Sequence, residues 1–344
     1  MPTMTIKVPE ISVIIVGFKS KQYLDACLNS IRHQTIYSPA MVEVIFIDNA
    51  SFDGSISFIQ RSYPWVNTVR NMKNIGYPAA LNMGIQYSSG DFILVMNPDV
   101  ILENNFLENA VKRIKQDNKI AAVCGKIYQY DFNTSEKTSV FDTVGIHIMA
   151  DREMMSARGS NDFGQFEEPR EIFCVRNICA LYRKTALDDI KVNGEYFDES
   201  FFLYWEGVDV CWRMRLFGWH IWYFPNLVSH HIVDSKNASN IIAVKDREHS
   251  YFKKNMRIMI FKNEFIVNIM HDFWLIVRSI IAKDGLFKFL KDIPGILRKR
   301  SYIMRHKRVK AGEIRKWFIS SKSQKFLTYK AQHLEIYAKF PPSN

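Results

Sequence analysis

The sequence predicts an α/β protein with a Rossmann-like, mostly parallel sheet that is flanked by helices and followed by a basic helical C-terminal extension. Short apolar, β-branched runs (11–17, 42–48, 66–71 and 92–96) alternate with segments of helical periodicity. These runs are apolar almost throughout, as in parallel sheets covered on both faces. From about residue 245 the pattern becomes helical and basic, so we predict one domain over residues 10–245 and a second region over residues 246–344.

The first elements form a β-α-β unit. Between the first two strands, the segment 21–34 repeats its apolar residues at helical spacing, at Leu24, Cys27, Leu28 and Ile31. A second helical segment, 78–89, separates the third strand from the fourth. Ligands of such sheets gather at the carboxyl ends of the strands. We therefore expect the site where the polar sequences GFKS, DNASFDGS and NPDV follow three of the strands.

The middle of the chain changes character. Residues 142 to 171 are rich in Gly, Asp and Arg, which predicts a long surface loop. An apolar run at 173–183, an aromatic and acidic segment at 195–219 and a strand-like run at 220–225 follow it.

Charge is distributed unevenly along the 344 residues, whose net charge is +11. Residues 251–344 hold 21 Lys and Arg against 6 Asp and Glu, whereas the first 250 residues hold 25 against 29. The basic excess therefore lies in the C-terminal region, and a partner of a single charge sign would bind there.

Cysteine usage and hydropathy indicate the compartment. The five cysteines form no CxxC pair and lie mostly in apolar runs, which predicts reduced core thiols at Cys27, Cys124, Cys174, Cys179 and Cys211. The N-terminal residues show no signal-peptide pattern, and no run approaches the roughly 18 uncharged residues of a membrane-spanning helix. We therefore expect a cytoplasmic protein. The apolar segment 265–282 is interrupted by charged residues, so it would lie on a membrane rather than cross it.

Polar side chains at the strand ends are the first candidates for chemistry. Asp48 is the last residue of a strand, where a carboxylate accepts a hydrogen bond from a nucleobase or a ribose hydroxyl. Alternatively, DNASFDGS is an Asx-rich turn that caps the next helix. Asn97 and Asp99 present oxygen ligands at i and i+2, which suits Mg²⁺ or Mn²⁺ together with substrate phosphates. Their alternative is a turn in which Pro98 ends the strand and Asp99 caps a helix.

Carboxylates and histidines of the later segment are further candidates. Glu206 and Asp209 lie in a run of aromatic residues, and an apolar environment raises the pKa of a carboxylic acid, which makes it a better general base near neutral pH. Alternatively, they are first-turn acids that interact with a helix dipole or with an arginine of the same helix. Of His230 and His231, one is a candidate metal ligand, and a structural histidine is the alternative.

Taken in order, these motifs resemble the family 2 glycosyltransferases with the A-type nucleotide-binding fold, and within them the bacterial rhamnosyltransferase-like group. The matching stretches, over about residues 10–265, are SVIIVGFKS, VIFIDNASFDGS, NIGYPAALNMGI, GDFILVMNPDV, FDTVG with ARGSNDFGQF, GEYFDESFFLYWEGVDVCWRMRLFGW and FPNLVSHH. The resemblance implies an inverting, metal-dependent transfer of a sugar from a nucleotide-sugar to a glycan or polyprenyl-diphosphate-linked acceptor, in the synthesis of surface polysaccharides. It favours deoxythymidine-diphosphate rhamnose as the donor, with uridine-diphosphate sugars second.

The resemblance also implies roles for individual residues. The nucleotide-sugar site would comprise Val16, Gly17, Phe18, Asp48, Asn74, Gly76, Asn82 and Asn97. Within it, Asp48 would recognise the base, and a cation, Mg²⁺ or Mn²⁺, would bridge Asp99 and the donor diphosphate. His231, six residues after Pro225, matches the position of a metal-binding histidine, with His230 as the alternative.

One position departs from the family pattern. Members of the family usually read Glu-Asp-Val-Asp where this chain reads Glu-Gly-Val-Asp, so Gly207 replaces the acid that is the expected base. We assign the base to Glu206, with Asp209 as the alternative. A third interpretation is a catalytically impaired homologue that acts as a binding module.

The basic C-terminal region has two interpretations. Its Lys and Arg clusters alternate with apolar residues, as in amphipathic helices that lie on membranes, and we predict peripheral attachment to the inner face of the cytoplasmic membrane. The alternative is a solvated helical subdomain that packs on the catalytic domain. A nucleic-acid-binding protein is disfavoured, because the expected site is acidic and no nucleic-acid module is recognised.

Overall fold

The computed structural model describes residues 9–233, 241–280 and 286–320, with side chains throughout except at 241–250 and 277–288. The strands are β1 (Ile11–Gly17), β2 (Val42–Asp48), β3 (Val66–Arg70), β4 (Phe92–Met96), β5 (Val100–Leu102), β6 (Ile120–Asp131), β7 (Glu136–Thr143), β8 (His147–Met149), β9 (Met154–Met155), β10 (Arg170–Glu171), β11 (Cys179–Arg183), β12 (His220–Val233) and β13 (Phe318–Ile319). The helices are α1 (Leu24–Arg32), α2 (Ser55–Ser62), α3 (Tyr77–Tyr87), α4 (Phe106–Ile114), α5 (Lys184–Asp189), α6 (Glu206–Leu216), α7 (Ile241–Asn263), α8 (Ile266–His271), α9 (Phe273–Ile280), α10 (Leu286–His306) and α11 (Ala311–Arg315).

A large mixed sheet forms the centre of the molecule. β3, β2, β1 and β4 lie side by side and are all parallel, as the sequence predicts. β11 runs antiparallel between β4 and β6, and β6 pairs in parallel with β12. β5 and β10 pair with β12, and β7 pairs with β6. β13, β8 and β9 form a small second sheet.

Helices cover both faces of the large sheet, because its central strands are apolar on both sides. β1 and β4 are buried along their whole length. One face packs against α1, α2 and α4, whereas α3, α5 and α6 pack against the other. The register aligns Gly17 with Asp48, so the carboxyl ends of β1 and β2 coincide at one edge.

The helices that follow β12 pack on the same face as α6. Met256 of α7 and Ile303 of α10 belong to the core that also contains α3 and α6 residues. The boundary at residue 245 stays a prediction, and residues 281–285 and 321–344 of the expected basic region lie outside the described residues. Within the described ranges, no helix is long and apolar enough to span a membrane. All five cysteines are buried as free thiols, as predicted.

The prediction of a surface loop at 142–171 is wrong for much of the segment. Asp142, Arg152 and Ala157 are fully buried. Arg152 donates from Nε to Glu264 Oε2 at 2.7 Å and from Nη1 to Asp272 Oδ2 at 3.0 Å. A Gly- and Asp-rich composition suggested exposure, but these two carboxylates compensate the buried guanidinium and hold the segment against the residues that directly follow α7 and α8.

Arg152→Ala should lower the free energy of unfolding by about 3–5 kcal/mol, because the Glu264 and Asp272 carboxylates would stay buried without this cation. Urea denaturation followed by circular dichroism measures the loss. Arg61→Ala, at an exposed position in α2, is the matched control and should change the value by no more than about 0.5 kcal/mol. Equal losses in the two variants would contradict a structural role for the Arg152 ion pairs.

Candidate functional site

The carboxyl ends of β1 and β2 form the first part of the site. Asp48 is 1% exposed; its Oδ1 accepts a hydrogen bond from the Ser51 N–H at 3.0 Å, and its Oδ2 lies 3.7 Å from Arg70 Nε. Val16 is buried and Phe18 is half exposed on the other side of Gly17. The role of these residues in binding a nucleotide stays a prediction.

The turn before α3 lies at the same edge. Gly76 has a φ of +88°, and a Cβ there would lie 2.8 Å from the Phe202 ring, so both backbone and space require glycine. Asn74 Oδ1 accepts hydrogen bonds from the Gly76 N–H at 2.9 Å and from Asn49 Nδ2 at 3.0 Å. The turn is therefore rigid, and it contacts the segment that leads into α6.

Asn82, in α3, makes its contacts with a different part of the chain. Its Nδ2 donates to the Phe197 carbonyl at 2.8 Å and to Glu199 Oε1 at 2.9 Å, and its Oδ1 accepts from the Phe197 N–H at 2.8 Å. These bonds fix the segment before α6. A direct contact of Asn82 with a donor stays a prediction.

Asp99 and His231 meet where the turn after β4 approaches β12. Asp99 Oδ1 lies 3.3 Å from His231 Nε2, and His231 Nδ1 lies 3.5 Å from Asp142 Oδ2. Burial would lower the pKa of His231, but the Asp142 and Asp99 carboxylates raise it to about 9. Sequence reasoning missed Asp142, since only the fold brings it to His231, 89 positions later in the chain.

Asp99 and His231 offer an oxygen and a nitrogen of the kind that bind divalent cations, although the described residues contain no group of three or more His, Cys, Asp or Glu that could hold a metal ion. Asp99 Oδ1 and both oxygens of Asp142 are buried, and in the described part of the chain their contacts with His231, at 3.3 and 3.5 Å, lack hydrogen-bond geometry. Asp99 Oδ1 and His231 Nε2 are 3.3 Å apart, so both would be available to one cation. A carboxylate behind the second imidazole nitrogen, here Asp142, is the usual support of a metal-binding histidine.

His230 lies on the opposite face of β12, because successive strand residues alternate in direction. Its Nε2 lies 2.7 Å from Glu103 Oε1, and its ring stacks on Tyr128. Burial lowers the pKa of His230, and the Glu103 carboxylate opposes that effect. The structure therefore brings His231, and not His230, to Asp99.

Two arginines extend the polar region beyond Asp142. Arg158 Nε lies 3.1 Å from Asp142 Oδ1, and Arg176 Nη1 lies 3.5 Å from Asp142 Oδ2. Arg176 also interacts electrostatically with Glu206. Arg176 thus lies between the Asp99 side of the site and the start of α6.

Glu206 is the first residue of α6 and is 9% exposed. Burial raises the pKa of Glu206 to about 7, against the opposing effects of its own N–H, Arg176 and Asn177. Tyr77 connects the two sides, since its Oη lies 3.2 Å from Asn97 Oδ1 and 3.2 Å from the Asn177 carbonyl oxygen. Tyr77 lies within the quoted stretch NIGYPAALNMGI, but neither Tyr77 nor Asn177 is charged at neutral pH, so sequence reasoning did not select them.

Asp209, one turn along α6, has a different environment. It is fully buried and contacts three polar groups: Arg213 Nη2 at 2.9 Å, Lys262 Nζ at 2.8 Å and Asn263 Nδ2 at 2.7 Å. Burial would raise the pKa of Asp209, but Lys262 and Arg213 lower it below its usual range. Asp209 is thus an ionised residue whose oxygens are occupied by protein cations.

The turn that leads to Glu206 is strained. Phe202, Tyr204 and Trp205 have φ values of +60°, +69° and +71°, which are unfavourable for residues with a Cβ. Asn255 of α7 donates from Nδ2 toward the carbonyl oxygens of this turn, at 2.6 to 2.9 Å. These hydrogen bonds from α7 hold the strained conformation in place.

The fold and the sequence are similar to those of known proteins. Cholesterol galactosyltransferase of Borreliella burgdorferi is 31% identical over 124 residues, which cover 35% of this chain and 33% of that protein. Glycosyltransferase GlyG of Streptococcus pneumoniae is 31% identical over 198 residues, 55% of this chain and 62% of that protein. The chain therefore matches less than two thirds of either relative's length.

Two solved structures resemble the fold of this protein, each at 14% sequence identity. GalNAc-T7 with UDP, GalNAc and Mn²⁺ has a TM-score of 0.62, over 87% of this chain and 58% of that chain. The mannosyltransferase PcManGT from Pyrobaculum calidifontis, in complex with GDP-Man and Mn²⁺, has a TM-score of 0.55, over 96% and 86%. At this identity the likeness shows the fold alone, the A-type glycosyltransferase fold.

The family model described as Glycosyl transferase family 2 matches residues 12–191, which include β1 to β4, Asp48, Asp99 and Asn177. Because that match covers more than half of the chain, and the curled sheet agrees with the structural neighbours, the protein belongs to glycosyl transferase family 2.

Proposed function

We propose that this protein is an inverting glycosyltransferase that moves a sugar from a nucleotide-sugar to a hydroxyl of a glycan or polyprenyl-diphosphate-linked acceptor. One observation carries the proposal: Tyr77 interacts with both Asp99 and Glu206, and Arg176 interacts with both Asp142 and Glu206. The Asp99 and His231 pair and the Glu206 carboxyl would therefore form two sides of one site. The first side suits the diphosphate of a donor. The second suits the removal of a proton from an acceptor.

The favoured donor is deoxythymidine-diphosphate rhamnose, with uridine-diphosphate sugars second, and the favoured role is the synthesis of a surface polysaccharide. The motifs shared with the rhamnosyltransferase-like group support this choice. The two solved neighbours hold different nucleotides, UDP and GDP-Man, so donors with several different bases have to be tested with this protein.

Asp99 and His231 would hold Mg²⁺ or Mn²⁺. When bound, the cation would neutralise charge on the donor diphosphate. Binding needs His231 in its neutral form, so the cation would replace the proton that Asp99 and Asp142 stabilise on the imidazole. Arg158 and Arg176 would add positive charge beside the diphosphate.

Glu206 would act as the general base. Its carboxylate accepts the proton of the acceptor hydroxyl while that oxygen forms a bond to the anomeric carbon from the face opposite the leaving group. The bond between the anomeric carbon and the phosphate oxygen breaks, and its electron pair leaves with the nucleoside diphosphate. Asp209 would instead anchor α6, because its oxygens are occupied by Lys262, Arg213 and Asn263.

The exposed apolar side chains of α8 and α9 would bring the enzyme to a membrane that carries a lipid-linked acceptor. Ile266, Val267, Met270 and Trp274 are 64%, 60%, 71% and 82% exposed. An amphipathic surface of this kind, in a region with a large basic excess, favours the boundary of anionic bilayers.

A thermal-shift screen tests the donor and the cation together. Deoxythymidine-diphosphate rhamnose with Mn²⁺ or Mg²⁺ should raise the Tm, since a ligand present at about 100 times its Kd stabilises the folded state by about 2.7 kcal/mol. UDP-sugars and GDP-mannose are the comparison set. Asp99→Asn should remove the metal-dependent part of the shift, whereas His230→Gln, on the other face of β12, should keep it. A donor shift that ignores the metal and survives Asp99→Asn would contradict the cation site.

The pH dependence of turnover tests the base. Since Glu206 must be ionised to accept a proton and its pKa is about 7, kcat should fall as the pH drops through about 7. Glu206→Gln should reduce kcat by about 10²- to 10⁴-fold, whereas Glu136→Gln, at an exposed position, should not. If Asp209→Asn abolished turnover in a folded protein while Glu206→Gln retained it, the base would be Asp209.

Vesicle co-sedimentation tests the membrane contact. The doubly substituted Met270→Glu and Trp274→Glu protein should sediment several-fold less than the wild type with vesicles containing anionic phospholipid, because the charges oppose burial of the apolar surface. Tyr87→Glu, at a 62% exposed position of α3, is the control and should sediment like the wild type. Undiminished sedimentation of the double variant would contradict this surface.

A further inference from the structure

The position beside Gly207 is filled by a side chain from a distant part of the chain. A Cβ built on Gly207 would lie 2.9 Å from Asn177 Cγ, 3.0 Å from Oδ1 and 3.1 Å from Nδ2. A Cβ contact of 2.9 Å is shorter than real Cβ atoms show, and the other two contacts are tight, so one of the two residues would have to shift. Any residue larger than glycine at 207 therefore competes with Asn177 for the same space.

Asn177 is not free to move away. It is 6% exposed, and its Oδ1 accepts a hydrogen bond from the hydroxyl of Tyr182, which is fully buried in β11. Its carbonyl oxygen lies 3.2 Å from Tyr77 Oη. Both the side chain and the backbone of Asn177 are thus held by tyrosines, and the steric conflict would fall on α6.

The same amide acts on Glu206. The amide lies against position 207, next to Glu206, and its N–H groups lower the pKa of the Glu206 carboxyl against the larger opposing effect of burial. Glu206 Oε2 and Asn177 Nδ2 are buried and have no hydrogen bond of good geometry within the described ranges. The charged or titratable groups that also face Glu206 are Arg176, Asp209, Tyr77, Tyr182 and Cys174.

We propose that Asn177 is a positioning residue, which takes the space of the acid that is missing at 207 and holds the Glu206 carboxyl where it accepts the proton of the acceptor. The inference rests on the proposed function and deepens it. Loss of the acid at 207 is then not a loss of the base: the neighbouring glutamate takes the role, and a neutral amide replaces the second carboxyl beside it.

A double-mutant cycle between positions 177 and 207 tests the inference. Gly207→Asp alone should lower the Tm by about 4 °C or more and kcat by about 100-fold, because the new side chain meets the fixed amide. Asn177→Gly alone should lower kcat by about 10-fold and move the acid limb of the kcat profile to higher pH, because an interaction that favours ionised Glu206 is lost. With both substitutions, the Tm should be that of Asn177→Gly within about 2 °C.

Two further measurements separate positioning from packing. Asn118→Gly, at an exposed position, is the matched control and should leave the Tm, kcat and the pH profile unchanged. Infrared difference titration of the free protein against Glu206→Gln follows the Glu206 carboxyl itself, and its midpoint should rise in Asn177→Gly. A double variant as unstable as Gly207→Asp, or an Asn177→Gly protein with an unchanged midpoint, would overturn the inference.

The experiments distinguish a failure of the proposed function from a failure of the role of Asn177. If the wild type neither bound nor turned over any nucleotide-sugar, the enzyme assignment would fall, and the Tm cycle and the infrared midpoint would still decide the role of Asn177. If the wild type were active and Asn177→Gly kept its kcat and acid limb, the positioning role alone would fall.

Discussion

The position of Glu206 depends on how α7 holds the strained turn in front of it. Asn255 donates to three carbonyl oxygens of that turn, and Lys262, two helical turns further along the same face of α7, contacts both Asp198 before the turn and Asp209 after it. Burying these charges is costly unless each has its partner, so the arrangement is stable only as a whole. A helix outside the region matched by the family model therefore determines where the first residue of α6 points.

The basic residues after residue 250 pair in part with acids of the same chain. A net excess of basic residues after residue 250 suggests an external acidic partner. In the structure, Lys262, Lys299 and Arg308 instead contact Asp198, Glu195 and Asp189 of the preceding part of the chain. Part of the positive charge thus pairs with acids of this chain, of which Asp198 is buried and Glu195 and Asp189 are partly exposed, and less of it is left for nucleic acid or lipid.

Much of the fold was predictable because its signals are local. Continuous apolar runs identified β1, β2 and β4, and the polar residues behind them identified the edge where Asp48 and Asp99 lie. The segment 142–171 was mispredicted, since its composition resembles a loop and only long-range ion pairs place Arg152 in the core. The sequence could not distinguish the environments of two nearby acids. Protein cations lower the pKa of Asp209, whereas burial raises the pKa of Glu206.

The site residues that sequence reasoning missed share one property. Asp142, Tyr77 and Asn177 act through partners far away in sequence or through their backbone, so neither spacing nor residue type identifies them. By contrast, alternation along a strand separates His230 from His231 once the position of β12 is known. Sequence patterns therefore identify residues with local signals, and they miss residues whose role depends on a partner far away in the sequence.

The contact between Gly207 and Asn177 also restricts the mutational history open to this protein. With the amide in place, any side chain at 207 starts from a Cβ only 2.9 Å from Asn177 Cγ, so the least strained order of changes makes residue 177 smaller first. In the opposite direction, the least strained order removes a side chain at 207 before an asparagine is introduced at 177. Both orders pass through a protein with a glycine at 207 and a small residue at 177, in which Glu206 would have neither neighbour beside it.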